Sequence, residues 1–286
     1  MPLFPEVERY IVAQEMIMKF GGGNQAQLYR ILGQGQTKSK ELDLPPADIE
    51  RKMELVACKP LQSPDLPAAV LDEVKAVQAS LETELANLKK ADVQKRLSNQ
   101  VLRSLVGVKN GFKDNQYYAG RLILCSDKAG VKWSWSLTPY YPIIANIPPD
   151  PIYLEKAYAA AETMLDELIM PPEIFETRLN LAWTLARHFS VGERVLIINV
   201  ARMYKIAGQP EKFWNAPQKS NYADIPDGAF IANLINWMRQ PGEKKTYSFI
   251  QATLHQAHGR NAKVYYLPSN AEGTSTRPVV YIEKKS

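Results

Sequence analysis

Apolar residues recur at helical spacing along much of the chain. Between Val70 and Leu88 they stand three or four positions apart, with glutamate, lysine and glutamine between them. Such a stripe is typical of a long amphipathic helix. This helix, over residues 67–107, either runs through Leu105 without interruption or breaks near Asp92, a good N-cap, into a helical hairpin.

Other segments with the same periodicity are also predicted to be helices. Prolines or glycines border most of them, and both residues commonly mark the ends of helices. The predicted helices lie at residues 5–20, 25–32, 46–58, 152–169, 172–189 and 190–207.

Residues 115–137 change to a period of two, which is the period of a strand. Trp133, Trp135 and Leu137 share one face, and the preceding segment 126–130 has the composition of a turn. The pattern predicts a β-hairpin. Strict alternation favours the two tryptophans as core residues, and the alternative is that their rings stack on nucleic-acid bases.

A proline-rich segment from Pro139 to Pro151 separates the two halves of the chain. Proline has no backbone N–H to donate, so helix interiors and central strands exclude it. The segment is therefore predicted to be a semi-rigid connector. It divides a helical domain with the long helix and the hairpin, residues 1–145, from a second helical domain, residues 150–286.

The final part of the chain, about residues 224–286, has a specific order of elements. One helix starts at Asp227 and a second at Thr246, and two strand-like runs follow at 263–267 and 278–283. This order of helix, turn, helix and hairpin resembles a winged helix. The resemblance implies that the second helix enters the major groove while the hairpin contacts the backbone.

Together these patterns predict an α+β fold that is predominantly helical. The N-terminal half is helical with a β-hairpin, and the C-terminal half is helical and ends in the winged-helix-like module.

The composition, with 45% hydrophobic and 23% charged residues among 286, is that of an ordinary globular chain. No apolar run is long enough to span a membrane, and the first residues lack the basic and apolar regions of a signal peptide. We therefore expect a cytoplasmic protein without a membrane partner. Two cysteines, Cys58 and Cys125, are too few for a disulfide framework or a zinc ribbon.

The net charge of +5 is unevenly distributed. Residues 89–132 hold ten basic and three acidic side chains, and residues 201–286 hold twelve basic and six acidic ones. The stretch between them, 150–200, is acidic. Two clusters with an excess of basic residues favour an anionic partner. The alternative interpretation is that the lysines only solvate helix faces.

Candidate nucleic-acid-binding residues fall in both basic blocks. Those of the C-terminal module occupy the face of the second helix, the turn before it and the hairpin, where bases and phosphates would lie. Those of the first block are cations interleaved with aromatic residues. The candidates are Arg239, Lys244, Lys245, Tyr247, Gln251, His255, His258, Arg260, Lys263 and Arg277, with Lys109, Lys113, Arg121, Lys128 and Lys132.

No catalytic motif stands out in the sequence. The spacings of zinc proteases, serine hydrolases and phosphate-binding loops are absent. His255 and His258 could reach one metal ion, but no further ligands lie near them in sequence. The expectation is a non-enzymatic protein with no cofactor and no metal site, and the alternative is an enzyme whose site is assembled from residues distant in sequence.

The leading hypothesis is thus a non-enzymatic protein that binds DNA or RNA through the C-terminal module and a second basic surface. The alternative is a structural or assembly subunit, such as a nucleoprotein or a component of a larger complex, whose modules make protein–protein contacts. In that case the 67–107 helix is the candidate surface for self-association or for a larger complex.

Overall fold

A computed structural model of the protein describes residues 2–190, 192, 194–240, 246–257 and 263–285. Helices and strands are both present, which confirms the α+β class. The chain divides into two compact units that interleave in sequence: unit 1 holds residues 1–111, 124–135 and 144–161, and unit 2 holds 112–123, 136–143 and 162–286. The domain division near residues 145–150 stays a prediction.

The helical part of unit 1 comes first in the chain. Its core is apolar, with Val7, Ile11, Leu28 and Leu55 fully buried. Its helices are α1 (Pro5–Ala13), α2 (Met16–Lys19), α3 (Gly22–Ile31), α4 (Asp48–Ala57), a 3-10 turn (Lys59–Gln62), α5 (Ala68–Leu88) and α6 (Ala91–Ser104).

The long stripe over residues 67–107 forms two helices, so of the two alternatives the break near Asp92 is the one observed, although Asp92 is not the N-cap. It falls at Lys89 and Lys90, where the extended backbone of Lys90 ends the helical run, and Asp92 lies in the first turn of α6. The apolar side of α5 packs within the unit, because Val70 and Leu81 are buried against α1 and α4 residues.

Five strands form the first sheet: β1 (Asn110–Lys113), β2 (Gln116–Ala119), β3 (Leu122–Ser126), β4 (Trp133–Ser136) and β5 (Pro142–Ile147). Their order in the sheet is the order in the sequence. Strands β3 and β4 confirm the predicted hairpin. Trp133 and Trp135 are buried, which excludes base stacking by these rings.

The prediction that residues 139–151 only connect two domains is wrong in part, because β5 lies within them. Strand β5 is at the edge of the sheet, where a proline costs least because one side of the strand needs no hydrogen-bond donors.

The remaining helices are α7 (Pro151–Leu168), α8 (Pro172–His188), α9 (Ile197–Ala207), α10 (Glu211–Asn215), a 3-10 turn (Lys219–Asn221), α11 (Asp227–Arg239) and α12 (Leu254–Ala257). In unit 2, α8 packs against α9 and α11. Phe175, Leu179, Tyr204 and Leu234 are buried there.

The second sheet lies in unit 2 and is built around one strand. It contains β6 (Val195–Leu196), β7 (Tyr247–Gln251), β8 (Tyr265–Pro268) and β9 (Thr276–Lys284). Strand β9 pairs antiparallel with each of the other three. The two strands predicted near 263–267 and 278–283 are confirmed as β8 and β9.

The helix predicted from Thr246 is wrong in its first part. Residues Tyr247–Gln251 form β7 and pair with Lys284–Val279. Within the described residues 246–257, the helical part is therefore limited to Leu254–Ala257. A strand in this position removes the recognition helix on which the winged-helix-like interpretation depends. Similarly, Val195–Leu196 form a strand where the 190–207 helix was expected to have begun.

Candidate nucleic-acid interface and an arginine cleft

The turn between β3 and β4 packs directly on the junction between α5 and α6. Gly130, with φ of 69°, is buried in this contact. A Cβ atom on Gly130 would lie 2.2 Å from the carbonyl oxygen of Leu88 and 2.8 Å from Nε2 of Gln94. Only glycine permits this approach with this backbone conformation.

Hydrogen bonds fix the same contact. The Gln94 side chain donates to the Leu88 carbonyl (3.0 Å) and accepts from the Ser126 hydroxyl (3.0 Å). Within the turn, the Asp127 carboxylate accepts from the backbone N–H groups of Val131 and Lys132. The turn is thus held on the helix junction by polar contacts as well as by close packing.

The contact brings two pairs of lysines onto adjoining segments. Lys89 and Lys90 form the helix junction, and Lys128 and Lys132 lie in and after the turn. All four side chains are exposed, and within the described ranges none pairs with a carboxylate. We call these four residues the lysine cluster.

The other candidates of the first basic block differ from one another. Lys109 is exposed in unit 1. In unit 2, Lys113 forms an ion pair with Glu272 at 2.9 Å, and this hydrogen bond raises the pKa of Lys113. Arg121 binds Glu162 (2.7 Å) and Asp166 (2.8 Å), so carboxylates of its own unit already balance its charge.

The candidates of the predicted second helix are not on one face. Tyr247 is buried at the start of β7, its hydroxyl bonds the Asn180 side chain, and burial raises its pKa to about 12. Gln251, His255 and Lys263 are exposed on separate segments. Lys244, Lys245, His258 and Arg260 lie outside the described residues.

Two of the predicted phosphate contacts, Arg239 and Arg277, line one cleft of unit 2. Arg239 ends α11, and Arg277 lies opposite the buried Leu267 in the β8–β9 pair. Directly opposed residues share a face of the sheet, so Arg277 projects from the apolar face of the hairpin. The cleft has a volume of about 460 Å³ and is also lined by Ile235, Met238, Pro268, Ser269, Asn270 and Ala271. We call it the arginine cleft.

The Arg239 guanidinium is mostly buried. Burial lowers its pKa from the usual value for arginine and the neighbouring charge of Arg121 lowers it further, although the charges of Glu272 and Glu162 partly oppose this shift. Its Nη1 donates a long hydrogen bond (3.4 Å) to the Arg121 carbonyl. Its Nε and Nη2 atoms, like Nε of Arg277, are buried without a hydrogen-bond partner in the described structure.

The loop that borders the cleft is held by side-chain hydrogen bonds. Asn270 donates to Asp114 (2.9 Å) and to Thr274 (2.7 Å), and Thr274 donates to Asp114 (3.0 Å). At Gly273, φ is 79°, and an added Cβ would lie 2.8 Å from Nη2 of Arg239. The loop therefore has a fixed shape that leaves room for the arginine.

The sequence gives Lys128, Lys132, Arg239 and Arg277 as candidates, but it does not give the contacts that bring them together. In the sequence, Gly130 indicates only a turn, and Lys89 and Lys90 indicate only part of the basic charge of residues 89–132. A lysine pair at a predicted helix break was the one available signal for their role.

Neither a metal cluster nor a membrane span is found in the part of the chain that the structure describes. No three or more histidine, cysteine, aspartate or glutamate side chains there are placed to hold a metal ion. None of its helices combines the length and the apolar character that crossing a bilayer requires.

Comparison with known proteins gives no relative. No protein family, no curated protein and no solved structure matches the chain.

Proposed function

We propose that the protein is a non-enzymatic nucleic-acid-binding protein that contacts the backbone of DNA or RNA through the lysine cluster. The observation that carries the proposal is the packing of Gly130 on the α5–α6 junction, which holds four exposed lysines, without carboxylate partners among the described residues, on adjoining segments. If these lysines only kept helix faces solvated, no such contact between the turn and the helix junction would be required.

The chemistry of the cluster favours the phosphate backbone rather than the bases. Lysine offers a hydrated point charge without a planar fork, and it supports contacts to phosphate oxygens of any sequence. Buried Trp133 and Trp135 supply no stacking surface. We therefore expect binding with little sequence preference and a strong dependence on salt.

The proposal gives the C-terminal module a smaller part than the sequence predicts. Helix α11 and the β8–β9 hairpin remain from the winged-helix-like arrangement, but β7 stands where its recognition helix would be. Gln251, His255 and Lys263 are exposed and are available for additional contacts with a nucleic acid that is bound by the lysine cluster. The proposal does not depend on them.

The test measures affinity for single-stranded DNA, duplex DNA and RNA by fluorescence anisotropy at several salt concentrations. The K128E/K132E variant removes half of the cluster, and K19E/K75E is the matched control. Lys19 and Lys75 are exposed in the same unit, and the change in net charge is the same.

We expect K128E/K132E to bind at least about tenfold more weakly than the control. On single strands the negative slope of log K against log salt should become shallower by about 1.4, since each of the two lost phosphate contacts contributes about 0.7. Equal affinities and slopes for the two variants would show that net charge alone, rather than the cluster, attracts the nucleic acid.

A second candidate function, an assembly subunit, is favoured by one face of α8. Ile174 and Leu181 are exposed on it, and the uncharged Thr177 and Thr184 stand beside them. Residues seven apart share a helix face, so this strip could pack against another protein. A defined oligomer by light scattering, lost in the L181E variant, would support this function.

A further inference from the structure

The arginine cleft contains two guanidinium groups without a direct ion pair among the described residues. Within the described part of the chain, no carboxylate oxygen lies within 4 Å of the Arg239 or the Arg277 guanidinium, although Arg121 nearby has two such partners. The carboxylates whose charges act on Arg239 are each bound to another cation, because Glu272 pairs with Lys113 and Glu162 pairs with Arg121. A buried charge without a partner is costly.

The residues around the two arginines are held in a fixed arrangement that leaves the cleft open. Gly273 leaves the space that Nη2 of Arg239 occupies, and a Cβ there would also lie 2.9 Å from the Leu137 carbonyl. The hydrogen bonds of Asn270 and Thr274 fix the bordering loop. Strand pairing of Arg277 opposite Leu267 fixes the second arginine.

We propose that the arginine cleft binds a phosphomonoester group, held between the guanidinium groups of Arg239 and Arg277. Two guanidinium charges match a phosphate dianion, whereas a single carboxylate would leave one charge unbalanced. The guanidinium fork donates two parallel hydrogen bonds to oxyanions of this shape. A volume of about 460 Å³ admits the phosphate with a small organic group attached.

Two sources supply this chemistry: a small phosphorylated molecule, or the 5′-phosphate at the end of a nucleic-acid strand. The inference does not rest on strand binding by the lysine cluster, since the cleft residues lie in unit 2 and the cluster lies in unit 1. The probes are therefore inorganic phosphate, a 5′-phosphorylated trinucleotide and the same trinucleotide with a 5′-hydroxyl.

Binding is measured by isothermal titration calorimetry on the full chain at about 0.15 M salt, where distant charges are screened. We expect wild type to bind inorganic phosphate. R239Q and R277Q should each weaken binding by at least about tenfold, the effect of losing a hydrogen bond to a charged group. R277K, which keeps the positive charge, should keep part of the affinity for phosphate. R202Q, which removes an exposed arginine elsewhere in unit 2, should bind as wild type does.

The trinucleotides separate the two sources. Tighter binding of the 5′-phosphorylated form, dependent on both arginines, assigns a strand end. Binding of inorganic phosphate without that preference assigns a small molecule. Either result supports the cleft. K128E/K132E should leave the affinity for inorganic phosphate and the preference for the 5′-phosphorylated trinucleotide unchanged, whether or not the lysine cluster binds nucleic acid.

Three results would overturn the proposal: no binding of phosphate or of the 5′-phosphorylated trinucleotide, equal binding by R277Q and R202Q, or displacement of phosphate by equimolar acetate. Circular dichroism of each variant establishes that it is folded. If R239Q does not fold, R277Q decides the question, because its side chain lies on a strand whose backbone pairing is unaffected.

Discussion

Replacing Gly130 with alanine tests the contact that assembles the lysine cluster. Two costs follow from the structure. The backbone at φ of 69° costs a residue with a Cβ about 1–2 kcal/mol. The new atom, 2.2 Å from the Leu88 carbonyl oxygen, must also push the turn away from the helix junction, and overpacking of this kind costs about 1–3 kcal/mol more.

Gly107 provides the matched control in the same unit. Its φ is 80°, and nothing lies within 4 Å of an added Cβ, so G107A carries the backbone cost alone. We expect urea unfolding followed by circular dichroism to show G130A less stable than G107A by about 1–3 kcal/mol. Such a difference is a large part of the typical stability of a domain.

The same substitution should affect binding. Because G130A moves the turn that carries Lys128 and Lys132, it should weaken nucleic-acid affinity without changing the charge, whereas G107A should not. If G130A and G107A unfold at the same urea concentration, the turn does not pack on the helix junction as described, and the lysine cluster is not a single surface.

Three further predictions concern other sites. Burial raises the pKa of Glu50, so its contribution to stability is fully present below the unfolded pKa and is lost as pH rises through the folded value. Wild type should therefore lose stability relative to E50Q as pH rises above the usual pKa of glutamate, measured by urea unfolding at each pH. Burial also raises the pKa of Cys58, and its side chain is inaccessible, so a thiol reagent should label Cys125 first and C125S should remove the fast phase. The buried amide of Asn233 donates to two carbonyls and accepts from the Met170 N–H, so N233L should lower the unfolding free energy by about 2–4 kcal/mol, and an unchanged value would mean that these hydrogen bonds add nothing to stability.

The helices were predictable because their signal is local. Apolar spacing located α4, α5, α7, α8 and α11 within a few residues, and alternation located β3 and β4. The segment from Thr246 was misassigned because Phe249 and Ile250 suit a helix, although Tyr247, Phe249 and Gln251 also alternate. What selects the strand is pairing with β9, about thirty residues further along, and no local pattern contains that partner.

The candidate sites show the same limit. Clustered charge pointed to the first basic block and to Arg239 and Arg277. It could not show that Glu162 neutralises Arg121, or that the two arginines of the C-terminal part share a cleft. Both facts depend on which segments meet in the fold. Gly130 is instructive because its sequence context indicates a turn, whereas its neighbours show what the turn packs against.

Strand β9 has a consequence for how the chain is made. It is the shared partner of β6, β7 and β8, yet it follows all of them in the sequence. During synthesis those three strands emerge before β9, so the backbone groups that pair with β9 have no partner until β9 has been made. The helical part of unit 1 is complete in sequence long before. We therefore expect a stage during synthesis in which the helical part of unit 1 can fold while β6, β7 and β8 still have open edges, through which unfinished chains can aggregate.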